Sequence, residues 1–104
     1  MQPILVFSTF SEKNAAKKFA QKIVEAQLAA CVQMIDGTTS IYPWNGKIEE
    51  SSEVLLLIKT FANKLDDLKI FFKENHPYEV PEIVAVNVEN VSEAYLKWMG
   101  EILK

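Results

Sequence analysis

No arginine occurs in this 104-residue chain; all eleven basic residues are lysines. That absence removes the side chain best suited to clamping a phosphate or carboxylate with two parallel hydrogen bonds, and it weighs against phosphoryl chemistry. Cysteine occurs once, as Cys31, which excludes an internal disulfide framework and suits a reducing cytosol. Histidine also occurs once, as His76, and one imidazole cannot make a tetrahedral zinc site, which usually takes four ligands. No apolar run is long enough to cross a bilayer, and no charged-then-apolar leader opens the chain. The expectation is a cytoplasmic protein with no membrane partner. A net charge of −3 and a pI near 5.1 give no nucleic-acid footprint. There is no Ser-His-Asp order, no G-x-G-x-x-G and no metal-hydrolase spacing, so no enzyme is expected.

What is present is a pattern of strands and helices with one disproportion. With 49% hydrophobic residues, the chain is long enough to bury one core as a single domain over residues 1–104. Residues 30–42 and 47–60 read as two long strands joined by a tight turn at Trp44-Asn45-Gly46. Each spans roughly 45 Å at about 3.3 Å per residue. The helices reach only about 22 Å. Such a hairpin protrudes, and its edges invite pairing with another chain. Asp36-Gly37 marks a bend or bulge in the first long strand. The run Val54-Leu55-Leu56-Leu57-Ile58 lacks alternation, which predicts a strand covered on both faces.

The remaining elements are shorter. Residues 2–9 form an apolar first strand. A helix over 12–27 presents Ala16, Phe19, Ala20 and Ile23 on one face, with Thr9 or Ser11 as its cap and a capping-box spacing from Thr9 to Glu12. A second helix over 63–75 carries Phe61, Leu65, Leu68 and Phe72 and ends at His76-Pro77. Residues 82–88 form the fourth strand, and Ser92 caps a terminal helix with Tyr95, Leu96, Met99 and Leu103 as its apolar set. The order β-α-β-β-α-β plus a helix predicts an α+β, ferredoxin-like sandwich with an extended hairpin between its second and third strands. Right-handed crossovers then gather Ser8, Thr9, Trp44, His76, Tyr78, Glu79 and Glu82 at one edge of the sheet, with Cys31 at the opposite edge.

The segments LAACVQMIDGTTSIYPWNGKIEESSEVLLLIKT, HPYEVPEIVAV and YLKWM, in that order and spacing, closely resemble the CutA family of divalent-cation tolerance proteins. The resemblance covers essentially the whole chain. It implies a homotrimer whose hairpins pair across subunit boundaries, and a non-enzymatic binding or sensing role in the response to metal ions such as copper. The trimer is similar to the PII signalling proteins, which implies inter-subunit clefts for a small ligand. Family members proposed to bind metal often carry a cysteine near the end of the first strand; here that segment reads Phe7-Ser8-Thr9, and serine is a poor ligand for soft metals.

These readings define the candidate residues. His76 is a possible copper or zinc ligand, with Glu79 and Glu82 adding oxygens; its structural reading is helix termination. Ser8, Tyr42, Trp44, Lys47, Glu50 and Tyr78 are candidates for an inter-subunit cleft or interface, where Trp and Tyr are enriched. Cys31 reads as an inert buried thiol. No cofactor is obligatory; copper or another divalent ion is the candidate ligand. The alternative is a trimeric scaffold or a PII-like small-ligand protein that binds no metal directly. Acylphosphatases share the topology, but topology does not transfer function, and their phosphate loop needs an arginine.

Overall fold

A computed structural model covering residues 1–104 shows β1 (Pro3–Phe10), α1 (Lys13–Glu25), β2 (Cys31–Trp44), β3 (Lys47–Phe61), α2 (Leu65–Asn75), β4 (Val84–Asn87) and α3 (Glu93–Ile102). A single 3-10 turn at Ala62–Lys64 leads into α2. The four strands form one antiparallel sheet in the order β2-β3-β1-β4. This is the expected ferredoxin-like arrangement.

The hairpin dominates the shape. Its strands contain 14 and 15 residues, and the protein measures 45 × 26 × 22 Å. The radius of gyration, 14.3 Å, exceeds the roughly 13 Å of a compact chain of this size. Asn45 and Gly46 close the turn with φ of 50° and 77°. Positive φ at both central positions is the turn whose twist matches the flanking strands, and Asn-Gly is its preferred sequence. Gly37, at φ 74°, sits in a register shift between Ile35 and Thr38. The expected bulge is therefore present, and it interrupts β2 without splitting it.

Helices α1 and α2 cover one face of the sheet. Ala16, Phe19, Ala20 and Ile23 of α1, and Leu68 and Phe72 of α2, pack on Ile4, Val6 and Phe10 of β1 and on Val54, Leu56 and Ile58 of β3. The other face is different. Register and alternation place Leu5, Phe7, Leu55, Leu57, Val84 and Val86 on it. Only its lower end is covered, where Met99 of α3 and Leu103 just after it meet Ala30 and Phe61. The expectation that residues 54–58 are covered on both faces therefore needs correcting for a single chain: Val54, Leu56 and Ile58 are buried, whereas Leu55 and Leu57 are only half-buried.

Three smaller expectations also change. Neither Thr9 nor Ser11 caps α1, whose N-cap is Glu12 with no side-chain cap bond; Thr9 is already committed to β1. Phe61 belongs to β3 and packs with α3 rather than with α2, because the strand runs one residue beyond its predicted end and turns Phe61 to the open face. Ser92 stands at the N-cap of α3, but through its carbonyl rather than its hydroxyl.

Candidate functional site

The end of β1, the hairpin and the segment after α2 converge at one edge of the sheet. His76, the C-cap of α2, has extended dihedrals and is 8% exposed. Proline at 77 excludes further helix, so the chain turns there across the top of β1. The imidazole lies 4.1 Å from the Phe10 ring centroid and stacks on Phe72 at 5.6 Å. Its two nitrogens have defined partners. The Tyr78 backbone N–H reaches Nδ1 at 3.1 Å, and the Thr9 carbonyl lies 3.0 Å from Nε2. An amide can only donate and a carbonyl can only accept. The ring is therefore neutral, with its proton on Nε2.

His76 thus acts as a clamp joining α2, β1 and the loop that leads to β4. Both nitrogens are occupied, and it could ligate a metal only by releasing the Tyr78 amide or the Thr9 carbonyl. Burial lowers its proton affinity below the ordinary value of 6.5, against the opposing effects of the Thr9 carbonyl and the charge of Glu53. The sign for stability follows. A lowered folded value means that the unfolded chain takes up the proton first, so the contribution of neutral His76 is complete above about pH 6.5 and is lost as pH falls through the lowered value. Urea unfolding of the wild-type protein should lose stability between about pH 7 and about pH 5 more steeply than that of His76→Gln. Parallel pH profiles would contradict this assignment.

In front of the clamp lies a groove of about 650 Å³. Thr9, Ser11, Ser51 and Glu53 line it from β1, the segment after it and β3. Tyr42 and Trp44 of the hairpin form one wall, and Tyr78 to Glu82 another. Tyr78 donates its hydroxyl to Glu53 Oε2 at 2.8 Å. Burial, reinforced by that bond, pushes the Tyr78 phenol up to about 12, so it remains a donor at neutral pH. Glu53 is only 9% exposed.

The predicted site residues separate into groups. Tyr42, Trp44, Tyr78, Glu79 and Glu82 all line the groove, while His76 lies behind it. Lys47 and Glu50 are exposed on the hairpin and do not line the groove. Glu50 pairs with Ile41, which puts it on the face opposite Tyr42 and Trp44. No three His, Cys, Asp or Glu side chains of the chain are grouped to hold a metal ion. Cys31 pairs with Lys59 at the far end of the sheet, and it is half-exposed rather than buried, because it lies on the open face.

Ser8 sits apart from the groove. It is fully buried opposite Leu56 on the helix-covered face, and its hydroxyl has no hydrogen-bond partner. A buried unpaired hydroxyl costs stability. Ser8→Ala should therefore raise the unfolding free energy by about 1 kcal/mol; a loss of that size in a denaturant melt would show that the hydroxyl is satisfied.

Sequence reasoning missed Ser11, Ser51, Val80 and Pro81 of the groove lining and, most consequentially, the charged Glu53. Its signal is positional: counting back from the turn at Asn45-Gly46, strand alternation pairs Glu53 with Thr38 and puts it on the same face as Tyr42 and Trp44.

An antiparallel sheet with helices on one face, an apolar open face and an overlong hairpin defines a ferredoxin-like protein of distinctive shape. The family described as "CutA1 divalent ion tolerance protein" matches residues 4–102. The chain belongs to the CutA family. Protein CutA of Homo sapiens is 46% identical over 96 residues, covering 92% of this chain and 54% of that protein. The divalent-cation tolerance protein CutA of Thermus thermophilus is 42% identical over 97 residues, covering 93% of this chain and 94% of that protein. The crystal structure of CutA1 from Oryza sativa superposes with a TM-score of 0.97 at 38% identity, over 100% of this chain and 95% of that one. The chain spans 54% to 64% of the length of the frog, mouse and human relatives it matches.

Proposed function

We propose that the chain is a non-enzymatic binding or sensing protein of divalent-cation tolerance that works as a homotrimer. The groove between the hairpin and the segment after α2 is its site, completed by a neighbouring subunit. One observation carries the reading. The groove gathers three carboxylates, Glu53, Glu79 and Glu82, and no lysine lines it. A site of that composition favours cations. Glu79 and Glu82, on the exposed segment after the His76 clamp, are the oxygen ligands offered to a copper or other divalent ion. His76 holds their segment in place.

Assembly is supported by surface that one chain leaves bare. Ile35, Val84 and Val86 on the open sheet face, and Ile41, Trp44 and Ile48 on the hairpin, are all exposed large apolar residues. On the open sheet face Ile35, Val84 and Val86 flank half-buried Phe7, Leu55 and Leu57, and apolar surface gathered on one face marks an interface. β2 is also an edge strand of 14 residues with one side unpaired. The lone free Cys31 agrees with a reducing, cytoplasmic setting.

Calorimetric titration with Cu²⁺ tests the metal reading. The wild-type protein should bind, and the double variant Glu79→Gln/Glu82→Gln should lose that heat. No binding to the wild-type protein, or binding unaffected in the double variant, would overturn it.

A further inference from the structure

We propose that the groove also accepts a small organic ammonium ion, held by the carboxylate of Glu53 and the π-faces of Tyr42 and Trp44. The inference rests on the reading of this groove as the binding site and adds the chemical class of a second ligand. Three observations lead to it.

The first is Glu53 itself. It is nine-tenths buried and lines the groove, yet only one of its oxygens is engaged, by the Tyr78 hydroxyl. No cationic side chain forms a salt bridge with it; the chain's one such pair is Lys13 with Asp36, at 3.0 Å. The other Glu53 oxygen is not sealed in the protein and has no partner within the chain, so it is free to meet a cationic ligand in the groove.

The second is size. At about 650 Å³ the groove falls within the range of small-molecule sites and far exceeds the space of a bare ion. Its carboxylates do not converge as a metal cluster. Spread along a wall, they suit the distributed N–H donors of an amine.

The third is the aromatic wall. Tyr42 and Trp44 keep 38% and 60% of their surface exposed while lining the groove. Aromatic faces beside carboxylates attract ammonium groups, through the ring quadrupole and the charge together. The groove offers an anionic ligand no matching positive charge.

The test is calorimetric titration of the full chain with putrescine, and with 1,4-butanediol as the uncharged analogue, in about 150 mM salt, where exposed charges are screened. Putrescine should bind and the diol should not. Glu53→Gln, which keeps an acceptor for Tyr78, and Tyr42→Leu, which keeps apolar volume, should each weaken binding about tenfold. Equal binding of amine and diol, no binding of putrescine, or unchanged affinity in Glu53→Gln overturns the inference. Should Glu53→Gln fail to fold by circular dichroism, Trp44→Leu takes its place, with the same loss expected and unchanged affinity counting against the inference. A parallel Cu²⁺ titration separates the two readings. Copper binding without putrescine binding sinks only the ammonium site, putrescine without copper sinks only the metal reading, and silence from both sinks the groove.

Discussion

Leu56→Asp should yield no cooperatively folded protein. Leu56 is wholly buried at the centre of β3, between Ser8 on one side and Met34 on the other, under the helix layer. Truncating such a residue to alanine already costs about 2–5 kcal/mol. A carboxylate there is worse, since no cation of the chain is placed to meet it and desolvation of an unpaired charge is far more expensive than a cavity. Against a total stability of about 5–15 kcal/mol for a typical domain, the variant should be unfolded or insoluble. Far-UV circular dichroism with a urea melt reads this directly. A cooperative transition in Leu56→Asp would show that the helix layer does not seal this face.

The same substitution one residue later should have a different outcome. Leu57 points to the opposite face, alongside Phe7 and Gln33, where no helix of the chain lies over the middle of the sheet. Leu57→Asp should fold, since water reaches that face in a single chain and hydrates the carboxylate. In the proposed trimer the face is buried against neighbours, and a desolvated charge at its centre should abolish association. The expected product is a folded monomer with native secondary structure. A Leu57→Asp protein that keeps its assembled mass would show that this face is not the interface. The pair of variants separates core from interface by a single step along one strand, which is possible only because a strand's side chains alternate.

Much of this architecture was legible from residue pattern alone, for identifiable reasons. The apolar spacing in α1, the Asn-Gly turn, the proline after His76 and the bulge at Asp36-Gly37 are local signals whose chemistry acts within a few residues. They put the hairpin tip, the end of β1 and the end of α2 at one edge, and the structure brings Tyr42, Trp44, Tyr78, Glu79 and Glu82 into one groove there. What failed was long-range. The unbroken run Val54–Ile58 reads as a strand covered twice, but within the chain only the side of Val54, Leu56 and Ile58 is fully covered. Glu53 looked like one more charge in a polar hairpin. Its face follows from the turn, but the Tyr78 hydroxyl that covers it comes from 25 positions away, which local spacing does not report. Ser8 shows the same limit in reverse. It sits at the correct edge, but alternation turns it under the helices and away from the groove.

In the proposed trimer the hairpin, the open sheet face and the groove all take their roles from a neighbouring chain, so assembly is the property to measure. Light scattering in dilute solution gives the answer in one number. A trimer should appear at roughly 35 kDa, three times the 11.8 kDa chain. A stable species of 11.8 kDa across the accessible concentration range would contradict it.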